Sequence, residues 1–394
     1  MNQKTKVGII GSGPSGLLLS QLLYVNGIES IVVEKRTRAH VEGRIRAGIL
    51  EQGMVDLLEA AQVADRLRKE ALIHGGIALQ FEGNAHRIDM EKLTGGKVVT
   101  VYGQNELTKD LMDAHEERGQ SPVYQALDVQ ISGIEVDRPT LTYTKNGEAF
   151  RVECDYVIGC DGYHGVSRSY IPSTILKTYQ KIYPFGWLGV LADVPPVSDE
   201  LIYNNHVDGF ALASQRSKTR SRYYIQCDLD EDIKEWPDDR FWSELVHRFG
   251  EEVGSQIITG PSIEKSIAPL RSFVAEPMRY KSLFLAGDSA HIVPPAGAKG
   301  LNLAASDIKY LSDALIRRYK TGKVDLLESY SDKALSRVWK SIRFSWWFTS
   351  LTHRFPEHEK GDLGHKLQIA ELDYIVNSKA ASTSFAENYV GLPY

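Results

Sequence analysis

The chain has little cysteine, no long apolar run and no surplus of positive charge, and each shortage removes a class of function. Three cysteines among 394 residues, Cys154, Cys160 and Cys227, form neither paired metal-ligand spacing nor a disulfide framework. So sparse and odd a count suits a reducing compartment; buried thiols, no metal centre and a cytoplasmic location are expected. Apolar stretches such as Leu17–Leu19 and Leu283–Ala286 fall far short of the roughly 20 residues that span a bilayer. Met1–Lys6 leads into an apolar strand pattern and not into a secretory leader, so no membrane or export role is expected. With 46 basic against 51 acidic residues, a net charge of −5 and no basic run, nucleic acid is not an expected partner. Hydrophobic residues at 42%, charged residues at 25%, 33 glycines and 15 prolines exclude disorder and collagen-like structure. At roughly 150 residues per domain, two or three domains fit the length.

The opening residues carry the strongest local pattern. Thr5–Ile10 is a β-branched run, Gly11–Gly16 reads GSGPSG, and Leu17, Leu18, Leu19, Leu22 and Leu23 follow at helical spacing until Asn26-Gly27. Ser30–Val33 is a second apolar run ending at Glu34, which completes a βαβ unit. Residues 176–228 differ in texture. Trp187–Ala192, Glu200–Asn204, Phe210–Ser214 and Ser221–Cys227 are short runs between turn signals, as in an antiparallel sheet. Ser282–Ala286 returns to a buried parallel-type strand, with a helix expected from about Leu301 to Lys320. Beyond Asp325 the pattern is helical, ending in a short loop-like segment, Glu387–Tyr394. The expected fold is therefore α/β: a Rossmann-type first domain (1–175), an inserted antiparallel β domain (176–270), and a strand plus helical C-terminal region (271–394) completing the first site.

In Gly11-x-Gly13-x-x-Gly16 the three glycines serve distinct mechanical ends, namely a tight turn, close backbone approach to a pyrophosphate, and tight helix-to-strand packing. The helix N-terminus then faces the anion, and Glu34, 18 residues after Gly16, is placed to accept hydrogen bonds from an adenosine ribose. FAD and NAD(P) both satisfy this fingerprint. Two further segments favour FAD: Cys160-Asp161-Gly162, with Arg168 nearby, and Gly287-Asp288 resemble the paired signatures of single-component flavoprotein aromatic hydroxylases. The runs GRIRAGILEQG (Gly43–Gly53), FLAGDSAHIVPPAGAKGLNLAA (Phe284–Ala305) and ENYVGLPY (Glu387–Tyr394) extend that resemblance along essentially the whole chain, toward the members that act on 4-hydroxybenzoate.

The resemblance implies FAD as cofactor, NADPH or NADH as electron donor, O2 as co-substrate, and hydroxylation at the 3-position through a flavin C4a-hydroperoxide. It also implies a homodimer, seated on the helical C-terminal region. Glu34 would hold the adenosine ribose, Arg46 the pyrophosphate, Gln104 and Asp288 the ribityl side, and the backbone at Leu301 and Asn302 the flavin ring. Ser15, Arg44, Asp161 and Arg222 join the expected cofactor set. Physical logic supports the helix start near Leu301, since reduced flavin carries negative charge that a helix N-terminus favours.

Ser214 and Arg216 lie two apart, so on a strand they share one face, and Tyr224 can join from a neighbouring strand. A guanidinium fork with hydroxyls suits a carboxylate; under the resemblance this is the benzoate clamp, although alone Arg216 reads as a solvated charge. Tyr203 and Tyr389 match the family's phenol-relay tyrosines, His74 its solvent-side end, and the Pro295 carbonyl the group that holds the substrate hydroxyl. A related hydroxylase acting on another hydroxybenzoate is the alternative enzyme, and a flavin-binding redox sensor the alternative class. Ala296 stands where the family pattern usually has threonine, which suggests room for 3,4-dihydroxybenzoate. Lys35, Arg36, Arg38 and Arg44 form a candidate site for the NADPH 2′-phosphate, while His40 and Glu42 depart from or oppose it.

Overall fold

Valine and isoleucine buried on both faces make Val7–Ile10 a central strand, and the rest of the first sheet is built around it. The computed structural model describes residues 2–44, 48–136, 138–356 and 363–394. In sheet order the strands are Arg279–Tyr280, Leu283–Leu285, Tyr156–Gly159, Val7–Ile10, Ser30–Glu34 and Val123–Tyr124. Every pairing is parallel except that of Arg279–Tyr280 at the edge. Helix Pro14–Val25 packs against helices Gln104–Glu117 and Gly300–Thr321, giving the expected Rossmann-type layer. A four-stranded sheet (Asn2–Lys4, Leu127–Ser132, Thr140–Lys145, Glu148–Glu153) attaches to one end.

The second large sheet has eight strands in the order His291–Ile292, Ser262–Glu276, Lys177–Ala192, Arg220–Cys227, Ala211–Ser217, Ile202–Asn204, Gly76–Phe81 and Asn84–Asp89. Its body is antiparallel, but Ile202–Asn204 pairs in parallel with Gly76–Phe81. Two strands thus come from the segment before residue 176, and Ser262–Glu276 runs past residue 270. Alternation along its strands separates two cores. Ala211, Ala213, Tyr223 and Ile225 pack on helix Asp238–Gly254 through Phe241, Leu245 and Phe249. Tyr203, Leu212 and Trp187 face the other way, into a cluster with Ala296, Phe344, Phe348, Phe385 and Tyr389. That second face, closed by helices Tyr330–Thr352 and Lys379–Val390, holds the candidate substrate residues.

One expectation is corrected. Residues 387–390 are the last turn of helix Lys379–Val390, not loop; only 391–394 lie beyond it, after Gly391 at φ +105°. The sequence signal there is weak because Asn388 and Tyr389 are poor helix formers, and packing of Phe385, Tyr389 and Val390 holds the turn. No helix among the described residues is long and apolar enough to cross a membrane.

Candidate functional site

The glycine loop is held by contacts that only glycine permits. Gly11 has φ +103°, and a Cβ there would lie 2.3 Å from the carbonyl oxygen of Cys160. A Cβ on Gly16 would lie 2.0 Å from the Gly11 carbonyl oxygen, so the helix rests directly on the strand end. Gly13 differs: nothing lies within 4 Å of its Cβ direction, and the helix it opens has no side-chain cap. Open space before an uncapped N-terminus fits a pyrophosphate. Gly11→Ala is therefore expected to lose flavin, read as the flavin-to-protein absorbance ratio of the purified protein; an unchanged ratio would contradict the steric argument.

Glu34 ends its strand nearly buried. Its Oε2 accepts the Ser12 N–H at 2.9 Å and the Ser12 hydroxyl at 3.2 Å, and its Oε1 accepts the Arg36 N–H at 2.8 Å. A carboxylate offers about four lone-pair positions, so capacity for a ribose hydroxyl remains. Asp161 spends Oδ2 on the N–H and hydroxyl of Ser167, both at 2.9 Å, while Oδ1 is buried without a hydrogen-bond partner. Burial pushes its carboxyl above the usual carboxylate pKa range, with the Ser167 bonds opposing. Gly287, at φ +64°, brings the turn carrying Asp288 against Ser15, whose Oγ would be 2.9 Å from an added Cβ. Gln104 opens helix Gln104–Glu117. Arg46 lies outside the described residues.

The start of helix Gly300–Thr321 is fastened from several sides. Asn302 Oδ1 accepts the Glu51 N–H at 2.8 Å, and its Nδ2 donates to the carbonyls of Ile49 and Ala298, each at 2.9 Å. The Asn302 side chain is thus fully engaged, leaving the helix backbone at Leu301 and Asn302 to meet a ligand. Beside it, Lys299 Nζ reaches Glu51 Oε1 at 2.7 Å and the Tyr389 carbonyl at 2.8 Å. Arg337 joins Glu51 Oε2 at 3.1 Å and donates to the carbonyls of Leu392 and Pro393. Sequence reasoning missed Glu51, Lys299 and Arg337. Glu51 and Lys299 fall within two of the family-like runs, but a buried ion pair between residues this far apart leaves no local pattern.

On the second sheet, Tyr203 pairs with Leu212 and Leu212 with Tyr224, while Ser214 pairs with Arg222. Directly paired residues share a face, so Tyr203, Tyr224, Ser214 and Arg222 project from one side; Arg216 sits at a register shift between Gln215 and Ser217, and its interactions with Tyr224 and Tyr203 bring its guanidinium to the same side. The Tyr203 and Tyr389 hydroxyls are 2.8 Å apart and both side chains are buried. Burial pushes both phenols up; for Tyr203 the Tyr389 bond and the Arg216 charge pull the other way. Burial pushes the Arg216 guanidinium down, opposed chiefly by Tyr224, and its Nη1 is buried without a hydrogen-bond partner. Arg222 pairs with Glu264 at 3.1 Å and lies over the Tyr224 ring at 5.2 Å. Gly189 is needed beneath that ring, because a Cβ there would sit 2.7 Å from it.

Pro295 opens a short 3-10 turn, and its carbonyl already accepts the Ala298 N–H at 2.9 Å, leaving one lone pair. Ala296 is fully buried in the cluster that contains Tyr203 and Tyr389. His74 is also buried, with Gln215 beside its ring. Burial pulls its imidazole below the usual histidine range, against Gln215, Glu200 and Asp199. The two tyrosines are joined directly, and among the described residues no hydrogen bond links either hydroxyl to His74. In the basic segment, Arg38 is engaged by Glu42, Asp113 and Glu116, whereas Lys35, Arg36 and His40 are exposed on or before helix Arg38–Glu42, and Arg44 is exposed just past it.

The FAD binding domain family matches residues 4–345. A p-hydroxybenzoate hydroxylase of Acinetobacter baylyi is 58% identical over 391 residues, covering 99% of this chain and 96% of that protein. A 3-(3-hydroxy-phenyl)propionate/3-hydroxycinnamic acid hydroxylase of Burkholderia cenocepacia is 25% identical over 78% of this chain and 56% of its own length. Among solved structures, a p-nitrophenol 4-monooxygenase from Pseudomonas putida superposes with a TM-score of 0.82 at 18% identity, over 100% of both chains, a likeness of fold.

Proposed function

This chain belongs to the FAD binding domain family and, within it, to the p-hydroxybenzoate hydroxylases; from that premise we propose how its residues serve the FAD-dependent hydroxylation of 4-hydroxybenzoate. The observation that carries the reading is one buried sheet face presenting both Arg216, whose buried Nη1 has no hydrogen-bond partner, and the Tyr203–Tyr389 hydroxyl pair. The first suits the carboxylate of the substrate and the second its phenol.

Flavin bound there would supply the redox chemistry, by which the electrons of NAD(P)H allow one atom of O2 to enter the aromatic ring while the other leaves as water. Gly11, Gly13, Ser15, Gly16, Glu34, Arg44, Arg46, Gln104, Asp161, Arg222, Asp288, Leu301 and Asn302 are the residues proposed to hold the flavin. Other side chains bind and ionise the substrate. Arg216, Ser214 and Tyr224 fix the carboxylate, with the Arg216 fork meeting two oxygens at once. Tyr203 receives the phenol, and the spare lone pair of the Pro295 carbonyl accepts its hydrogen while it is neutral. A ring carrying O⁻ is far richer in electrons than one carrying OH, so ionisation prepares the position ortho to it, the 3-position. Because burial keeps the Tyr203 and Tyr389 phenols protonated near neutral pH, they act as a hydrogen-bonded path and not as bases. His74, buried and beside Gln215, is the group toward which the proton leaves.

The test is product analysis with flavin-loaded protein, NADPH and 4-hydroxybenzoate. The expected product is 3,4-dihydroxybenzoate; another phenol, or no substrate-dependent oxygen uptake, would contradict the reading. Ala296 favours a side activity, since an alanine lacks the hydroxyl and methyl of threonine beside the reacting end. Excess NADPH with 3,4-dihydroxybenzoate is expected to yield gallate, and its absence by chromatography rejects the extra room.

With Arg38 engaged by three carboxylates, the donor's 2′-phosphate falls to the exposed Lys35 and Arg36. NADPH is expected to exceed NADH in kcat/KM; parity would remove this basic segment from donor recognition. Exposed Leu363, Leu367 and Tyr374 on helix Leu363–Asn377 support a homodimer seated there, and three free thiols support a cytoplasmic enzyme.

A further inference from the structure

We infer that His206, Asp208 and His247 form a binding site for a divalent transition-metal ion of the zinc type, which fastens the loop between the Tyr203 and Arg216 strands to helix Asp238–Gly254. His206 and Asp208 lie on the turn that joins strand Ile202–Asn204 to strand Ala211–Ser217. His247 comes from the helix, 39 residues after Asp208, so no sequence motif announces the set. One ligand atom from each, the His206 Nδ1, an Asp208 carboxylate oxygen and the His247 Nε2, all lie within 4.8 Å of one another. His247 Nε2 is 3.0 Å, and His206 Nδ1 3.6 Å, from the same Asp208 Oδ2. A tetrahedral ion with bonds of about 2.1 Å holds its ligands roughly 3.4 Å apart. The observed separations bracket that value, and closing the third requires only side-chain adjustment by His247, which is 58% exposed.

The donor set defines the ion's class. Two imidazoles and one carboxylate suit zinc, nickel or copper, whereas calcium and magnesium seek all-oxygen shells. The surrounding charge is permissive: Asp208 and Glu244 are acidic, and the nearby Arg248 is paired with Glu244 and bonded to the carbonyls of Phe210 and Gln226. The turn is already shaped, with Gly209 at φ +113° donating its N–H to the His206 carbonyl at 2.9 Å. Binding displaces hydrogen bonds within the cluster, among them the 3.2 Å bond from the Asp208 N–H to His206 Nδ1 and the 3.0 Å bond between His247 Nε2 and Asp208 Oδ2, both at positions open to water.

An ion here joins the outer end of the hairpin carrying Tyr203, Ser214 and Arg216 to the helix behind the sheet, and stabilises the folded state by mass action. The flavin-loaded protein is dialysed free of metal and titrated with zinc chloride by calorimetry, alongside H247A and D208N. The expected result is saturable uptake of one zinc per chain, weakened about tenfold or more in each variant, with a zinc-dependent rise in unfolding temperature only in the unsubstituted protein. Hydroxylation without zinc is expected to be unchanged in H247A. Uptake of equal affinity in all three proteins, no saturable uptake, or preference for calcium over zinc would each overturn the assignment.

Discussion

Arg216→Ala is expected to weaken 4-hydroxybenzoate binding by about 2–5 kcal/mol, the range for removing one partner of a desolvated, hydrogen-bonded charge pair. That is roughly 30- to 4,000-fold in Kd. The size follows from what the guanidinium lacks in the protein itself: Nη1 is buried with no hydrogen-bond partner, so part of the desolvation cost is met before the substrate arrives. Arg216→Lys keeps the charge but loses the planar fork, and an intermediate loss is expected. Fluorescence or absorbance titration of the flavin-loaded variants measures both. Unchanged affinity in the alanine variant removes the clamp. The control is the unfolding temperature without substrate; a fall of many degrees would instead make Arg216 a structural residue.

The second large effect is Tyr203→Phe. An isolated phenol resembles tyrosine, with a pKa of about 10, and bringing it near 7.5 requires about 3.4 kcal/mol of selective stabilisation. Deleting the Tyr203 hydroxyl removes the only group that links the substrate to Tyr389 in the proposed path, 2.8 Å further on. If most of that stabilisation is lost, hydroxylation slows by roughly two orders of magnitude, while the clamp still binds the carboxylate. The yield of 3,4-dihydroxybenzoate per NAD(P)H oxidised should fall steeply at neutral pH. It should recover as pH approaches that of the unassisted phenol, where no relay is needed. A yield that stays intact at pH 7 would end the relay assignment, and one that stays low at all pH values would mean a packing defect.

Much of this was legible in the chain because its chemistry is local. The glycine loop, its strand and Glu34 sit within the first 34 residues, and each follows from backbone sterics. The two-residue period of a strand pointed Ser214 and Arg216 to one face, and although the register shifts between Gln215 and Ser217, Arg216 still meets Tyr224 on that side. What escaped was assembled across long separations. Gly76–Phe81 joins the second sheet through a parallel pairing with Ile202–Asn204, which no alternation pattern specifies. The Glu51–Lys299–Arg337 network spans most of the chain. Residues 387–390 read as loop by propensity but are helical, because burial of Tyr389 and Val390 outweighs a weak local preference. His74 matched by resemblance alone, as a solvent-side end; its burial, invisible in sequence, encloses it instead.

The central claim is that one buried sheet face both grips the carboxylate and lowers the pKa of the phenol. Absorbance of 4-hydroxybenzoate bound to the flavin-loaded protein, followed from pH 6 to pH 10, tests both at once. The phenolate band should rise with a midpoint near pH 7.5, and in Tyr203→Phe the midpoint should move back toward the free phenol's value of about 10. A midpoint that equals that of the free phenol in the unsubstituted protein would contradict the claim outright.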